Sequence, residues 1–179
     1  MVPRAIRPFG WIAFLGGIMR KFEKISFNEW KKSINDSKEE YENHPLPRRH
    51  TKYSAGYDFV SPIDCVLHPG EVKKIPTGIK IRMNEDDMMM LVVRGSTGFK
   101  YNVRLTNQIG IFESDYYNNE QNEGHAWVSL QNHSNEDFVI KKGDRIVQAI
   151  FVKYLTVDDE EEIKEKRIGG FGSTNRKKG

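Results

Sequence analysis

Residues 72–93 read Val-Lys-Lys-Ile-Pro-Thr-Gly-Ile-Lys-Ile-Arg-Met-Asn-Glu-Asp-Asp-Met-Met-Met-Leu-Val-Val. The stretch holds two runs rich in Val, Ile and Met, residue types that favour β-strands. We predict strands from Val72 to Met83 and from Met88 to Val93, with a turn where Pro76-Thr77-Gly78 interrupts the first run. This stretch therefore indicates β structure.

Similar short runs follow along the chain as far as Tyr154. We predict further strands over Val103 to Thr106, Ile109 to Phe112, Ala126 to Gln131, Phe138 to Ile140 and Ile146 to Tyr154. No spacer between these runs is long enough for the helical crossover that parallel strands require. The pattern predicts an all-β fold, mainly antiparallel, of the sandwich or jelly-roll type.

One amphipathic helix is predicted before the strands. Ser26-Phe27-Asn28-Glu29 has the pattern of a capping box, and apolar residues follow at helical intervals, namely Phe27, Trp30, Ile34 and Tyr41. Pro45-Leu46-Pro47 then ends the helix and begins an extended linker. We expect the aromatic face to pack on the β domain.

Composition narrows the class of protein. The length of 179 residues suits one domain with appendages, and the net charge of +3 is too small for a nucleic-acid-binding surface. Cys65 is the only cysteine, so an internal disulfide and a thiolate zinc site are both excluded, and a reducing, cytoplasmic setting is favoured. The histidines show no metal-ligand spacing. We expect no nucleic-acid partner.

The first 18 residues differ from the rest of the chain. Arg4 and Arg7 precede an apolar run from Phe9 to Ile18, which resembles a short signal peptide. The run is too short to span a bilayer and no small-x-small cleavage site follows it. Because Met19 opens the polar sequence, we expect residues 1–18 to be a dispensable extension and expect no membrane association.

The tail carries a glycine-rich motif behind the acidic run from Asp158 to Glu162. It reads Arg167-Ile168-Gly169-Gly170-Phe171-Gly172-Ser173-Thr174. Glycines let backbone N–H groups approach a ligand closely, and arginine and hydroxyl side chains suit phosphate oxygens. A flexible, solvated terminus is the alternative. The predicted organisation is an extension (1–18), a helical segment (19–46), a β domain (47–157), and an acidic linker with a mobile C-terminal lid (158–179).

Four segments of the β domain also combine turn glycines with polar or charged groups. They are Ser54-Ala55-Gly56-Tyr57-Asp58, Arg94-Gly95-Ser96-Thr97-Gly98, the run from Asn107 to Tyr116, and Gly143-Asp144-Arg145-Ile146-Val147-Gln148. Singly, each also fits a strand cap, a surface charge or an ordinary turn. Taken in order with the tail, they resemble the five motifs of the trimeric dUTPases, particularly the forms of Gram-positive bacteria and their phages. The resemblance covers about residues 47–175.

The resemblance implies a jelly-roll homotrimer that hydrolyses dUTP to dUMP and pyrophosphate with Mg²⁺. It implies that Asp58 holds the metal through water and that Glu113 is the catalytic base. The phosphate-binding residues implied are Arg94, Ser96, Gln148, Arg167, Ser173 and Thr174. The nucleoside-binding residues implied are Asn107, Gly110, Tyr116 and Phe171, with Tyr116 against the deoxyribose and Phe171 over the uracil. Each site combines parts of three chains.

Two departures from the family pattern fall on groups that handle the reacting phosphate. Glu113 stands where the family carries aspartate, and its side chain is longer by one methylene group. Gly95 stands where the family carries the first serine of an Arg-Ser-Ser or Arg-Ser-Gly segment. Phe112 also replaces a smaller aliphatic residue. We therefore expect dUTP binding with weakened hydrolysis.

Two other functions compete with this interpretation. The related dCTP deaminases carry a catalytic glutamate where this chain has Ser129, so deamination is not expected. A non-catalytic dUTP-binding trimer that switches a protein partner is the second alternative, and it would show tight dUTP binding without turnover.

Overall fold

The computed structural model describes residues 20–161, 163, 167 and 169. Eleven strands lie within the described residues: β1 (Lys21–Lys24), β2 (Tyr57–Val60), β3 (Cys65–Leu67), β4 (Val72–Pro76), β5 (Ile79–Arg82), β6 (Asp87–Val93), β7 (Val103–Leu105), β8 (Gly110–Glu113), β9 (Trp127–Asn132), β10 (Phe138–Ile140) and β11 (Arg145–Lys153). Three short α-helices accompany them: α1 (Phe27–Ser33), α2 (Lys38–Asn43) and α3 (Gly95–Tyr101), together with one 3-10 helix (Ser114–Tyr116).

All pairings between these strands are antiparallel, as predicted. The largest sheet has the order β2-β11-β6-β8, and a second sheet has the order β4-β9-β7. Two further pairs, β1-β5 and β10-β3, complete the architecture. The core between them is apolar, and its fully buried members include Phe59, Leu67, Ile75, Met89 and Leu130. Burial of these side chains is the main stabilising contribution.

The predicted turn at Pro76-Thr77-Gly78 is present, and it divides the run from Val72 to Met83 into the two strands β4 and β5. The chain turns at Gly78, whose φ is +73°, and a Cβ there would lie 2.5 Å from the Trp30 ring. Glycine is therefore required both by the backbone conformation and by the close packing of the indole. Strands β1, β2 and β3, each three or four residues long, were not predicted.

The predicted N-terminal helix is interrupted. Ser26 caps α1 as expected, since its Oγ accepts the Glu29 N–H at 3.2 Å. The Asn35 side chain then accepts hydrogen bonds from the Trp30 indole and from the Ser37 N–H, both at 3.1 Å. Such local side-chain bonds compete with helical ones, and Ser37 starts α2 with a second cap. The buried Trp30 confirms that the aromatic face packs inward.

Helix α3 was also not predicted. It follows Arg94 directly and contains Gly95 and Gly98, which lower the intrinsic helix propensity of this segment. Within the described residues, no helix has the length and apolar character needed to cross a membrane.

Candidate functional site

Asp58 is the centre of a charged cluster on the largest sheet. Antiparallel pairing of β2 with β11 places it opposite Gln148. Its two carboxylate oxygens lie 3.2 Å from Arg94 Nε and 3.2 Å from Arg145 Nη1. His50 Nε2 is 3.4 Å away. Three of the predicted metal- and phosphate-binding residues, Asp58, Arg94 and Gln148, are therefore brought together.

Arg145 and His50 were missed as members of this cluster. The motif from Gly143 to Gln148 contains Arg145, so the sequence carried a signal for this residue. His50 lies in a loop, and only the tertiary structure brings it to Asp58.

Glycine at position 56 makes room for Gln148. A Cβ at that position would overlap the Gln148 side-chain amide. The Gln148 Nε2 donates a 3.5 Å hydrogen bond to the Val93 carbonyl, at the end of β6 next to Arg94. The small residue at 56 therefore allows the amide to lie within the charged cluster.

Ser96 lies beside this cluster, in the first turn of α3, and is exposed to solvent. Gly95 is exposed as well, and a Cβ built there meets no atom within 4 Å. A serine side chain at position 95 therefore fits without displacing a neighbour.

The predicted nucleoside-binding residues Asn107 and Gly110 line one cavity of about 610 Å³. The turn between β7 and β8 is tight: Ile109 N–H donates to the Asn107 carbonyl at 2.6 Å, and Gln108 has a φ of +62°. Gly110 pairs with Leu91 of β6, which also lines the cavity. A volume of this size is typical of sites for small molecules.

Tyr116 lies next to this cavity but does not line it. Its hydroxyl donates to the His125 carbonyl at 3.1 Å and accepts from Asn122 Nδ2 at 2.9 Å. Its ring packs edge-on against Phe112, at a centroid distance of 5.5 Å. Burial raises the pKa of the Tyr116 phenol. Phe112 and Asn122 both line the cavity, so they link Tyr116 to it.

Glu113 faces Arg167. The Arg167 Nη2 lies 3.0 Å from Glu113 Oε2, and its Nε lies 2.9 Å from Asp115 Oδ1. The guanidinium also lies over the Tyr116 ring, 5.9 Å from its centroid. Arg167 is therefore next to the candidate base and not in the Asp58 cluster. The predicted residues Phe171, Ser173 and Thr174 lie outside the described residues.

The Asp58 cluster and Glu113 lie at opposite ends of the same sheet. In the β6–β8 pairing, Glu113 is opposite Met88 and Gly110 is opposite Leu91. Arg94 is six residues beyond Met88, so about 20 Å separates the two ends at roughly 3.3 Å per residue. The cavity lined by Gly110 lies between them. Within one chain, Arg94 and Glu113 are therefore far apart along the sheet.

The donor set around Asp58 fits a magnesium ion held through water. Among the described residues, no three His, Cys, Asp or Glu side chains form a direct metal site. An ionised carboxylate offers about four acceptor positions, and the three nitrogen contacts of Asp58 leave room for a hydrogen bond from a metal-bound water. Magnesium usually keeps several waters and takes its remaining ligands from substrate phosphates.

Known proteins resemble this chain over most of its length. The dUTPase family profile matches residues 42–175. The deoxyuridine 5'-triphosphate nucleotidohydrolase of Lactococcus lactis is 43% identical over 130 residues, covering 72% of this chain and 87% of the relative. The enzyme of the same name from Methylococcus capsulatus is 38% identical over 139 residues, covering 74% of this chain and 88% of the relative.

Solved structures show the same fold. A crystal structure of dUTPase from Streptococcus mutans superposes with a TM-score of 0.63 at 32% identity, covering 76% of this chain and 98% of that one. The dUTPase of Staphylococcus aureus phage phi11 superposes with a TM-score of 0.61 at 19% identity, covering 82% of this chain and 97% of that one. The predicted jelly roll is thereby confirmed, with separate antiparallel sheets in place of a closed barrel.

Proposed function

Because the chain belongs to the dUTPase family and is a dUTP diphosphatase, we propose that it hydrolyses Mg-bound dUTP to dUMP and pyrophosphate in sites shared between three copies of the chain. The observation that carries this proposal is the assembly of the predicted residues into two groups, the Asp58 cluster and the Asn107–Gly110 cavity. The similarity to the Lactococcus and Streptococcus proteins supports the Gram-positive type.

The nucleoside part of dUTP binds in the cavity beside the β7–β8 turn. The Asn107 amide and the backbone around Gly110 read the uracil edge by placing donors and acceptors. Cytosine inverts that pattern and would leave buried groups unpaired, which costs binding. Tyr116 lies behind Phe112 and Asn122 of the cavity wall and supports the side that faces the deoxyribose, where a ribose hydroxyl would clash. Its position is set by the two hydrogen bonds of its hydroxyl.

The phosphates bind at the Asp58 cluster of a neighbouring copy. Arg94 and Gln148 address phosphate oxygens, with Ser96 at the start of α3, and Asp58 holds the metal through water. The bound magnesium offsets the negative charge of the triphosphate. Arg145, which was not predicted, keeps the Asp58 carboxylate in place through its 3.2 Å contact. The tail residues Arg167, Phe171, Ser173 and Thr174 close over the bound nucleotide.

Glu113 accepts a proton from the attacking water. The water oxygen bonds to the α-phosphorus, the bond from that phosphorus to the bridging oxygen breaks, and pyrophosphate leaves. The basic side chains offset the charge that develops in this step. Glu113 is 43% exposed on its side chain, which allows a water molecule to approach it.

The separation of Arg94 and Glu113 supports sites that are shared between copies of the chain. Their distance of about 20 Å along the sheet supports sites in which one copy supplies Glu113 and the nucleoside cavity while another supplies the Asp58 cluster. The trimeric state is the one that the family resemblance implies.

The first experiment measures pyrophosphate release from dUTP, dCTP, dTTP and UTP in the presence of magnesium. We expect release from dUTP alone. Because Glu113 displaces the carboxylate by on the order of 1 Å, Glu113→Asp should raise kcat, by up to about a hundredfold. Gly95→Ser should raise it about tenfold by adding a hydrogen bond to a charged phosphate oxygen.

Gly98→Ser on the same helix is the matched control for Gly95→Ser, since a Cβ at 98 makes only an ordinary 3.7 Å contact with Val93. If Glu113→Asp and Gly95→Ser both leave kcat unchanged, positions 95 and 113 do not limit catalysis. Tight dUTP binding without any pyrophosphate release would favour the regulatory alternative.

A further inference from the structure

The N-terminal segment, residues 20–44, contacts the loop that precedes β9. We call residues 117–125 the pre-β9 loop. Strand β1 meets this loop where the Tyr117 hydroxyl donates to Glu23 Oε2 at 2.7 Å, and the start of α1 meets it through Ser26 and Glu123. Most of the N-terminal segment precedes the residues that the dUTPase profile matches, so membership of the family assigns it no role.

Ser26 and Glu123 are joined by two hydrogen bonds. The Ser26 N–H donates to Glu123 Oε2 at 2.9 Å, and the Ser26 hydroxyl donates to Oε1 at 2.5 Å. Burial alone would raise the pKa of the Glu123 carboxyl, but the Ser26 donors and the Lys80 ammonium, 3.5 Å away, bring that pKa below its ordinary value. The carboxylate is therefore ionised at neutral pH, and hydrogen bonds to an ionised acceptor are stronger than neutral ones.

The backbone at Glu123 turns the pre-β9 loop back towards Tyr116. Glu123 and Gly124 have φ values of +58° and +80°. A Cβ at position 124 would lie 2.6 Å from the Tyr116 carbonyl oxygen, so the loop returns in close contact with that residue. A left-handed backbone is uncommon for a residue other than glycine and costs conformational free energy. The two hydrogen bonds to the Glu123 carboxylate help to offset that cost.

Asn122 connects this turn to the nucleoside cavity, which it lines. Its Nδ2 donates to the Tyr116 hydroxyl at 2.9 Å, and its Oδ1 accepts the Gly124 N–H at 3.1 Å. Glu123 stands between Asn122 and Gly124 in the chain. A displacement of Glu123 would therefore shift both the Asn122 amide and the phenol that this amide holds.

We propose that Glu123 is a positioning residue, through which the N-terminal segment fixes Asn122 and Tyr116 on the deoxyribose side of the cavity. The inference rests on the proposed function, and it gives the N-terminal segment a part in selecting the sugar. Glu123 does not line the cavity and acts through Asn122. A fixed wall rejects the added 2′-hydroxyl of a ribonucleotide, whereas a loosened wall gives way to it.

The test compares the affinities of the full chain for dUMP and UMP, which differ only by the 2′-hydroxyl. A well-fitted pocket rejects an added hydroxyl by about a hundredfold, so Glu123→Ala should reduce the ratio of the two affinities by about tenfold. The same variant should raise KM for dUTP more than it lowers kcat. The non-hydrolysable imido analogue of dUTP should lose as much affinity as dUMP, because the two ligands share the nucleoside.

Two further variants test the link to Ser26. Glu123→Gln keeps an oxygen that can accept the Ser26 N–H, so it should retain the ratio of affinities to within about threefold. Ser26→Gly removes only the hydroxyl, and glycine is tolerated at a helix N-cap. The double variant Ser26→Gly/Glu123→Ala should show no lower ratio than Glu123→Ala alone, because both substitutions remove the same contact.

Glu120→Ala is the matched control, because Glu120 is an exposed carboxylate of the same loop, and it should leave the ratio unchanged. A purely structural role of Glu123 would lower the thermal unfolding midpoint without changing the ratio. An unchanged ratio in Glu123→Ala would therefore overturn the inference. If that variant fails to fold, an unchanged ratio in Ser26→Gly has the same meaning.

Turnover of dUTP by the unmodified chain is measured in parallel. Absence of pyrophosphate release contradicts the proposed function. The ratio of dUMP and UMP affinities does not depend on catalysis, so it tests the role of Glu123 in either case.

Discussion

At the scale of single residues, the Arg167 side chain has two competing sets of partners. Arg167 bonds Glu113 and Asp115 in the structure, and the proposed function needs its guanidinium at the phosphates of the bound nucleotide. The guanidinium cannot contact the two carboxylates and the phosphates at the same time. The pair with the two carboxylates must break before Arg167 reaches a triphosphate.

Removing one of these carboxylates should therefore favour nucleotide binding. Asp115→Asn removes the ion pair between Asp115 and Arg167. Exposed ion pairs of this kind contribute about 0.2–1 kcal/mol of interaction free energy. We expect up to about fivefold tighter binding of the imido analogue of dUTP and no change for dUMP, which lacks the outer phosphates. Calorimetric titration of both ligands measures the difference.

Asp137→Asn is the matched control, since Asp137 pairs with His68 at the surface and does not contact Arg167. Equal changes for dUMP and the triphosphate analogue would contradict the competition.

At the scale of elements, the N-terminal segment packs on the turn between β4 and β5. Two buried histidines form hydrogen bonds with this turn. His44 Nε2 donates to the Thr77 carbonyl at 2.9 Å, and His125 Nε2 accepts the Gly78 N–H at 2.9 Å. The carbonyl of His125 also accepts a hydrogen bond from the Tyr116 hydroxyl, so the same contact supports the side chains behind the cavity.

Burial lowers the pKa of His44 and of His125 to about 4. In the folded chain both rings stay neutral down to about pH 4. In the unfolded chain they take up protons near pH 6.5. The stability that this provides is fully present above pH 6.5 and is lost as the pH falls towards 4. At pH 4 the free energy of unfolding is lower by about 3 kcal/mol for each of the two histidines.

Urea unfolding between pH 7.5 and 4.5, at fixed protein concentration, measures this dependence. A His44→Gln/His125→Gln double variant should show a shallower fall in the free energy of unfolding with acidity. His133→Gln, at an exposed position, should keep the original slope. An equally steep fall in the double variant would exclude the two histidines as its cause.

At the scale of the whole molecule, a site divided between copies can be rebuilt from two inactive variants. Under the proposed function, Arg94→Ala removes a phosphate contact and Glu113→Gln removes the base. These positions are about 20 Å apart in one chain. In a random mixture of trimers, each mixed trimer contains one site with both residues intact. Co-refolding equal amounts should therefore restore about a quarter of the original dUTPase activity.

Arg94→Ala mixed with Asp58→Asn is the control, because both positions belong to the same cluster of one chain and no intact site can form. A lack of recovery in the first mixture, with mixed oligomers demonstrated by size-exclusion chromatography of tagged chains, would contradict the shared site.

The sequence by itself determined the strand-rich class and the Ser26 cap, and it predicted a set of site residues. These depend on short-range patterns: β-branched runs, turn glycines and a capping box of four residues. Strands β1, β2 and β3 and helix α3 were not predicted. The break at Asn35 was also missed, because the hydrogen bonds of the Asn35 side chain compete with the helical pattern there.

Only the tertiary structure decided which of these residues act together. The β6–β8 register separates Arg94 from Glu113, β11 brings Arg145 to Asp58, and the pre-β9 loop brings Glu123 to Ser26. Strand register and sheet order join residues that are far apart in the chain, and they are set by the burial of a common core. Local sequence carries no record of that pairing, so which residues lie close together and which lie far apart emerges only once the strands are assembled.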